Sequence, residues 1–159
     1  MTPLSPYRSL SAERRLALVT HALRQGKDVR AAYVQRLMSR GGGFRATTLM
    51  SWPADKLARE IVRLNAQNSG DEFELLQLLY VELEPGFQIT FLDAAGVAHE
   101  GGKMPDDLQP PFTDAASVER GVAAVRAQHG ADGEHYLQTI ALYAADGWPG
   151  ITNLVPRQG

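Results

Sequence analysis

The stretch YVELEPGFQITFL, residues 80 to 92, decides the fold class that the sequence predicts. Pro85-Gly86 is a dipeptide typical of turns. After it, Phe87, Ile89 and Phe91 alternate with polar residues, and this period of two is typical of a half-buried strand. Before it, YVELE alternates in the same way. We therefore predict a β-hairpin across Pro85-Gly86.

The residues on either side of this hairpin extend the pattern. Upstream, residues 73–80 are rich in leucine and stay open between helix and strand. Downstream, VAHE (97–100) and HYLQTIALYA (135–144) are predicted strands. Between them, residues 101–112 form a loop, and a helix begins at Thr113 or Asp114 and ends near Gly130. The predicted fold class is α+β, in which a small antiparallel sheet packs against one helix.

The N-terminal part of the chain is predicted to be helical. Three segments of residues 1–65 carry apolar residues at helical spacing. Ser11 caps the first segment, the second ends at Gly41, and Ser51 or Trp52 caps the third, with Pro53 at its first helical position. FRATTLM (44–50) is either extended or a short extra turn, and NAQNSGD (65–71) is a linker. The sequence thus predicts a basic three-helix module at residues 1–66 and an acidic α+β module at residues 67–159.

Charge divides the chain in the same place. Residues 1–65 contain 12 basic and four acidic side chains, a net charge of +8, whereas residues 66–159 contain four basic and 14 acidic ones, a net charge of −10. Such a split indicates that one part of the chain faces nucleic acid or another polyanion.

Two features supply the candidate phosphate contacts. RGGGFR (40–45) lacks the GK[ST] ending of a P-loop, but glycine N–H groups between two arginines can cradle a phosphate; the alternative is a helix stop and a plain loop. Lys56, Arg59 and Arg63 share one helix face, and their alternative role is in salt bridges with Asp55 and Glu60. The predicted contacts are Arg36, Arg40, Arg45, Lys56, Arg59 and Arg63.

No catalytic residue, metal ligand or cofactor site is predicted. HGADGEH (129–135) contains four potential ligands, but their spacing matches no established metal pattern. His99 and Glu100 are adjacent, so a strand would point them to opposite faces. Trp52 and Trp148 each precede a proline and are predicted to be packed anchors. A small enzyme built on residues 99–135 stays open as a third interpretation.

The charge split favours a cytoplasmic nucleic-acid-binding protein that contacts the phosphate backbone, because no base-reading element is recognisable. DNA and RNA are not distinguished. The acidic module would modulate binding or recruit a protein partner. The alternative is a protein-interaction adaptor or inhibitor whose basic and acidic halves pair within or between chains, which includes a homo-oligomer.

Composition sets the broader expectations. The chain has no cysteine, which is compatible with a reducing compartment. It also has no apolar run near the length of a membrane span, and its N-terminus does not resemble a signal peptide. Its many arginine, alanine and glycine residues indicate a GC-rich bacterial genome.

Overall fold

The computed structural model describes residues 5–40 and 43–156, and within these ranges the protein is helical and contains no β-strand. The predicted α+β fold with an antiparallel sheet is therefore wrong, and the described chain is all-α. It forms two compact units, one of residues 7–78 and one of residues 79–156 with residues 5 and 6. No helix in the described ranges is long and apolar enough to cross a membrane.

The described residues of the unit 7–78 form five helices: α1 (Ala12–Leu23), α2 (Lys27–Ser39), α3 (Ala46–Ser51), α4 (Ala54–Leu64) and α5 (Ser69–Leu78). The three helices predicted from apolar spacing correspond to α1, α2 and α4. Ser11 caps α1 as predicted, because its side chain accepts a hydrogen bond of 3.2 Å from the Arg14 N–H. Leu57 and Ile61 are fully buried, so the apolar stripe of α4 lies in the core.

The fifth helix begins inside the segment that the sequence analysis assigned to a linker. Asn68 Oδ1 accepts from the Asp71 N–H at 2.8 Å, and Asp71 Oδ2 accepts from the Asn68 N–H at 3.0 Å. This reciprocal arrangement satisfies two N–H groups at the start of α5. Leu75 and Leu76 of α5 are buried in the same unit. The acidic residues of α5 therefore belong to the unit that holds the basic helices.

The second unit contains three helices: α6 (Gly86–Ala95), α7 (Ala115–Tyr143) and α8 (Ile151–Leu154). A π-helical turn, Leu79–Leu83, precedes α6, and a 3-10 turn, Ala145–Gly147, precedes α8. Helix α7 is broken at Gly130, whose φ of 58° and ψ of −131° are not helical. Helices α6 and α7 approach closely at Gly121, where an added Cβ would lie 2.9 Å from the Phe91 ring.

The predicted hairpin is wrong because Phe87 and Phe91 fit both periods. Residues four apart lie on the same side of a strand and also on the same face of a helix. Leu92 and Ala95 are buried as well, and the set of residues 87, 91, 92 and 95 follows the spacing of three and four that is typical of one helix face. Gly96 ends α6 in the left-handed conformation, with φ of 71°, the usual role of a glycine after a helix.

The other two predicted strands are also wrong. VAHE forms no strand and contributes only an isolated bridge between Glu100 and Lys103. HYLQTIALYA lies in α7, where the buried residues Tyr136, Leu137 and Ile140 follow helical spacing. The helix predicted to begin near Asp114 does so, because the Asp114 side chain accepts from the Ser117 N–H at 2.8 Å. Residues 73–80, which the sequence left open, are helical.

Candidate functional site

The six predicted phosphate contacts all lie in the unit of residues 7–78, but their surroundings differ. Arg36 is the most engaged, since its guanidinium forms an ion pair with Asp71 and donates a hydrogen bond of 3.1 Å to the Ala32 carbonyl. Asp71 is only 7% exposed. Breaking this pair would leave a carboxylate buried without its cation, which is costly. Arg36 is therefore a structural residue of the unit.

Arg59 and Arg63 are exposed on α4 and form the helical salt bridges that the sequence offered as their alternative role. Arg59 donates to Asp55 at 3.1 Å, and Arg63 donates to both carboxylate oxygens of Glu60, at 3.2 and 2.6 Å. The hydrogen bonds from Arg63 lower the pKa of Glu60. Both arginine side chains are exposed, and ion pairs at the surface contribute little to stability, so both arginines can exchange their carboxylates for other anions.

Arg40 and Arg45 flank the glycine loop. Arg40 follows the last residue of α2 and Arg45 precedes α3, and both are exposed. Neither side chain has a hydrogen-bond or ion-pair partner in the part of the chain that the structure describes. The helix stop predicted at Gly41 lies outside the described residues, as does Gly42.

Lys56 leads to a feature that the sequence analysis missed. Its Nζ lies 4.2 Å from the centroid of the Trp52 ring, a cation–π contact. The Phe44 ring meets the same tryptophan edge-on, with the centroids 4.9 Å apart. Phe44 is 41% exposed, a large value for a phenylalanine. We call Phe44, Trp52 and Lys56 the aromatic platform; Arg45 follows Phe44 directly in the chain.

Arg30 holds the backbone under this platform. Its Nη1 donates a hydrogen bond of 2.6 Å to the Trp52 carbonyl. This carbonyl lies between α3 and α4, where no helical N–H is available to it. Arg30 thus fixes the bend that presents Trp52. The Trp-Pro dipeptide marked Trp52 as an anchor, but no sequence signal distinguished it from Trp148, which is buried against Phe91 and Phe112.

The net charge of the unit is smaller than the sequence split suggests. Residues 7–78 contain 12 basic and seven acidic side chains, a net charge of +5, because α5 adds three acids. One of them, Glu72, is 5% exposed and accepts from Arg8 at 3.0 Å. The buried acids of α5 pair with Arg8 and Arg36, and not with Arg40 or Arg45.

The side chains of the histidine-rich segment HGADGEH make contacts within the second unit. His129 Nε2 lies 3.0 Å from the Thr90 hydroxyl, Glu134 pairs with Arg126, and His135 bonds the Tyr80 hydroxyl and the Pro6 carbonyl. In the described ranges no three histidine or acidic side chains come together as metal ligands would.

His99 does not pair with Glu100. Its Nε2 contacts the Asp93 carboxylate, and its Nδ1 accepts from the Gly102 N–H at 3.0 Å. The ring therefore links the end of α6 to the loop that follows, which is a structural role.

Comparison with known proteins identifies no relative. The chain matches no protein-family model, no curated protein and no solved structure. Function must therefore be argued from the surface itself.

Proposed function

We propose that the unit of residues 7–78 binds nucleic acid and that its preferred ligand is an unpaired strand. The observation that carries the proposal is the aromatic platform, in which an exposed Phe44 contacts Trp52 and Lys56 lies over the Trp52 ring. Proteins that bind single strands combine basic residues along the backbone with aromatic side chains on which bases stack. The proposal places the protein in the cytoplasm and leaves DNA and RNA open.

Each residue of the surface has a role that follows from its surroundings. Phe44 offers a ring face to a base, and stacking contributes about 1 to 3 kcal/mol per base. Arg40, Arg45 and Lys56 neutralise phosphates. Arg59 and Arg63 join them by exchanging the carboxylates of Asp55 and Glu60 for phosphates, while Arg36 stays with Asp71 and is not part of the interface. Up to five phosphate contacts result.

The proposal is tested by following the fluorescence of Trp52 during titration with a single-stranded oligonucleotide of mixed sequence. The chain has two tryptophans, so Trp148→Phe leaves Trp52 as the reporter. We expect saturable quenching and an affinity that falls with salt, with a log–log slope of about −3.5 at roughly −0.7 per neutralised phosphate. Phe44→Ala should weaken binding about tenfold, because it removes a stacking partner.

A charge-matched control is Lys103→Ala, which removes an exposed cation from the other unit and should leave the affinity unchanged. Two outcomes would count against the proposal. Absence of binding at about 50 mM salt would exclude nucleic acid as the ligand, since electrostatic affinity is strong there. Equal affinities for duplex and single strand, unchanged by Phe44→Ala, would leave only the backbone contacts.

The alternative function is a protein-interaction adaptor or inhibitor that works by pairing basic and acidic segments. The observation that favours it is that Asp71 and Glu72, from the acidic segment, pair with Arg36 and Arg8 of the basic one. Pairing of this kind between chains would produce a homo-oligomer or a complex with an acidic partner. Light scattering at low and high salt tests it, because the adaptor hypothesis predicts assemblies that dissociate as salt rises.

A further inference from the structure

A groove of about 480 Å³ lies beside α2 and the start of α5. None of the residues that line it belongs to the aromatic platform. This volume is within the range of small-molecule sites. Val29 and Ala32 supply apolar surface to its wall, and acidic side chains from both helices supply charge.

One mostly buried residue that lines the groove carries a hydroxyl without a partner in the described ranges. Tyr33 lines the groove and is only 5% exposed. Its hydroxyl has no hydrogen-bond partner among the residues that the structure describes. Burial raises the pKa of Tyr33, and the carboxylates of Asp71 and Glu74 act in the same direction. The hydroxyl therefore stays protonated and can both donate to and accept from a ligand.

The charge of the groove is negative. Three carboxylates line it, and the single cation among the lining residues, Arg36, is paired with Asp71. Asp28 and Glu74 are exposed at the groove and have no ion-pair partner in the described ranges. A ligand that binds here must therefore carry positive charge. A ligand with two or more cationic groups can pair with both Asp28 and Glu74.

An extended organic cation fits this arrangement better than a metal ion. In the described ranges no three acidic or histidine side chains converge as metal ligands do. Val29 and Ala32 present methyl groups, which suit a hydrocarbon chain between charged ends. We propose that the groove binds an α,ω-diamine or polyamine, whose ammonium groups donate hydrogen bonds to Asp28, Glu74 and the Tyr33 oxygen.

Calorimetric titration of the full-length protein with spermidine tests the site. A neutral diol of similar length is the ligand control, and we expect it not to bind. Glu74→Gln and Asp28→Asn should each weaken spermidine binding about tenfold, because each removes one charged acceptor. The matched control is Glu13→Gln, which removes an exposed acid of the same unit outside the groove and should change the affinity less than twofold.

Tyr33→Phe distinguishes a built site from general attraction between charges. This substitution keeps the buried ring and removes only the oxygen, so the fold is retained, which circular dichroism verifies. We expect about fivefold weaker binding, the size of one hydrogen bond. The proposal is overturned if spermidine does not bind saturably, if Glu13→Gln weakens binding as much as Glu74→Gln, or if the diol binds as well as the amine.

Discussion

Replacing Gly121 by alanine should destabilise the unit of residues 79–156, although alanine is the better helix former. Gly121 lies inside α7, where the exchange favours the helix by about 1 kcal/mol. Against this, the new Cβ would lie 2.9 Å from two atoms of the Phe91 ring. Overfilling a packed core of this kind costs about 1 to 3 kcal/mol. The expected net loss in the free energy of unfolding is about 1 kcal/mol.

The same substitution should change sign when the ring is absent. Phe91→Ala alone costs about 3 to 5 kcal/mol, because Phe91 is fully buried against Tyr136 and Trp148. In that background Gly121→Ala meets no ring and keeps its helical advantage, so it should stabilise by about 1 kcal/mol. The coupling between the two sites is then about 1 to 3 kcal/mol.

Urea unfolding measures this coupling. Trp148 is a local reporter, since its ring centroid lies 4.8 Å from that of Phe91, and Trp52→Phe makes it the only tryptophan. Far-ultraviolet circular dichroism should follow the same transition. If Gly121→Ala has the same effect with and without the Phe91 ring, the close contact between α6 and α7 is not what makes glycine necessary there.

Three further substitutions test the unit of residues 7–78 by urea unfolding. Tyr7→Phe should stabilise by about 1 kcal/mol, because it removes a buried hydroxyl that has no partner in the described ranges. Burial raises the pKa of Tyr7 to about 12, so the wild type should lose more stability than Tyr7→Phe as the pH rises above 10. Asp71→Asn should cost about 1 to 2 kcal/mol through the cap of α5 and the pair with Arg36, whereas Glu13→Gln should not. Glu60→Gln should be less stable than wild type at neutral pH, and the difference should vanish as the pH falls below 4.5, since Arg63 lowers the folded-state pKa of Glu60.

The sequence predicted a segment correctly where its apolar residues fitted only the helical period, and incorrectly where they fitted the strand period as well. Leu57 and Ile61 lie between other helical signals, including Pro53 before them, so α4 was identified. Phe87 and Phe91 fitted two periods, and the turn-forming Pro85-Gly86 favoured the wrong one. Leu92 and Ala95 complete a helical face with Phe91, but this face is recognised only when α6 packs against α7, as it does where the Phe91 ring lies close to Gly121.

The sequence predicted the basic residues of the candidate site, but it did not predict the ion pairs that these residues make with distant parts of the chain. Sequence spacing gave the pairs of Arg59 and Arg63 with α4 carboxylates, because these are helical neighbours. The pair between Arg36 and Asp71 joins residues 35 positions apart, and no spacing rule reaches that far. The exposure of Phe44 likewise depends on how α3 and α4 meet at Trp52.

An acidic module that modulates binding would do so by competing with nucleic acid for the basic residues, and the position of α5 decides which fragment of the chain tests this. A fragment of residues 1–66 would lack α5, although Leu75 and Leu76 fill the core of this unit and Asp71 and Glu72 neutralise Arg36 and Arg8. If that fragment bound nucleic acid more tightly, the cause would be the loss of core packing and the release of Arg8 and Arg36 from their carboxylates. A fragment ending at residue 78 keeps the whole unit. The acidic residues that it lacks all lie outside this unit. If residues 79–159 compete for the basic surface, this longer fragment should bind a single strand more tightly than the full chain at low salt, and the difference should shrink as screening increases. Equal affinities would show that the acidic unit does not compete.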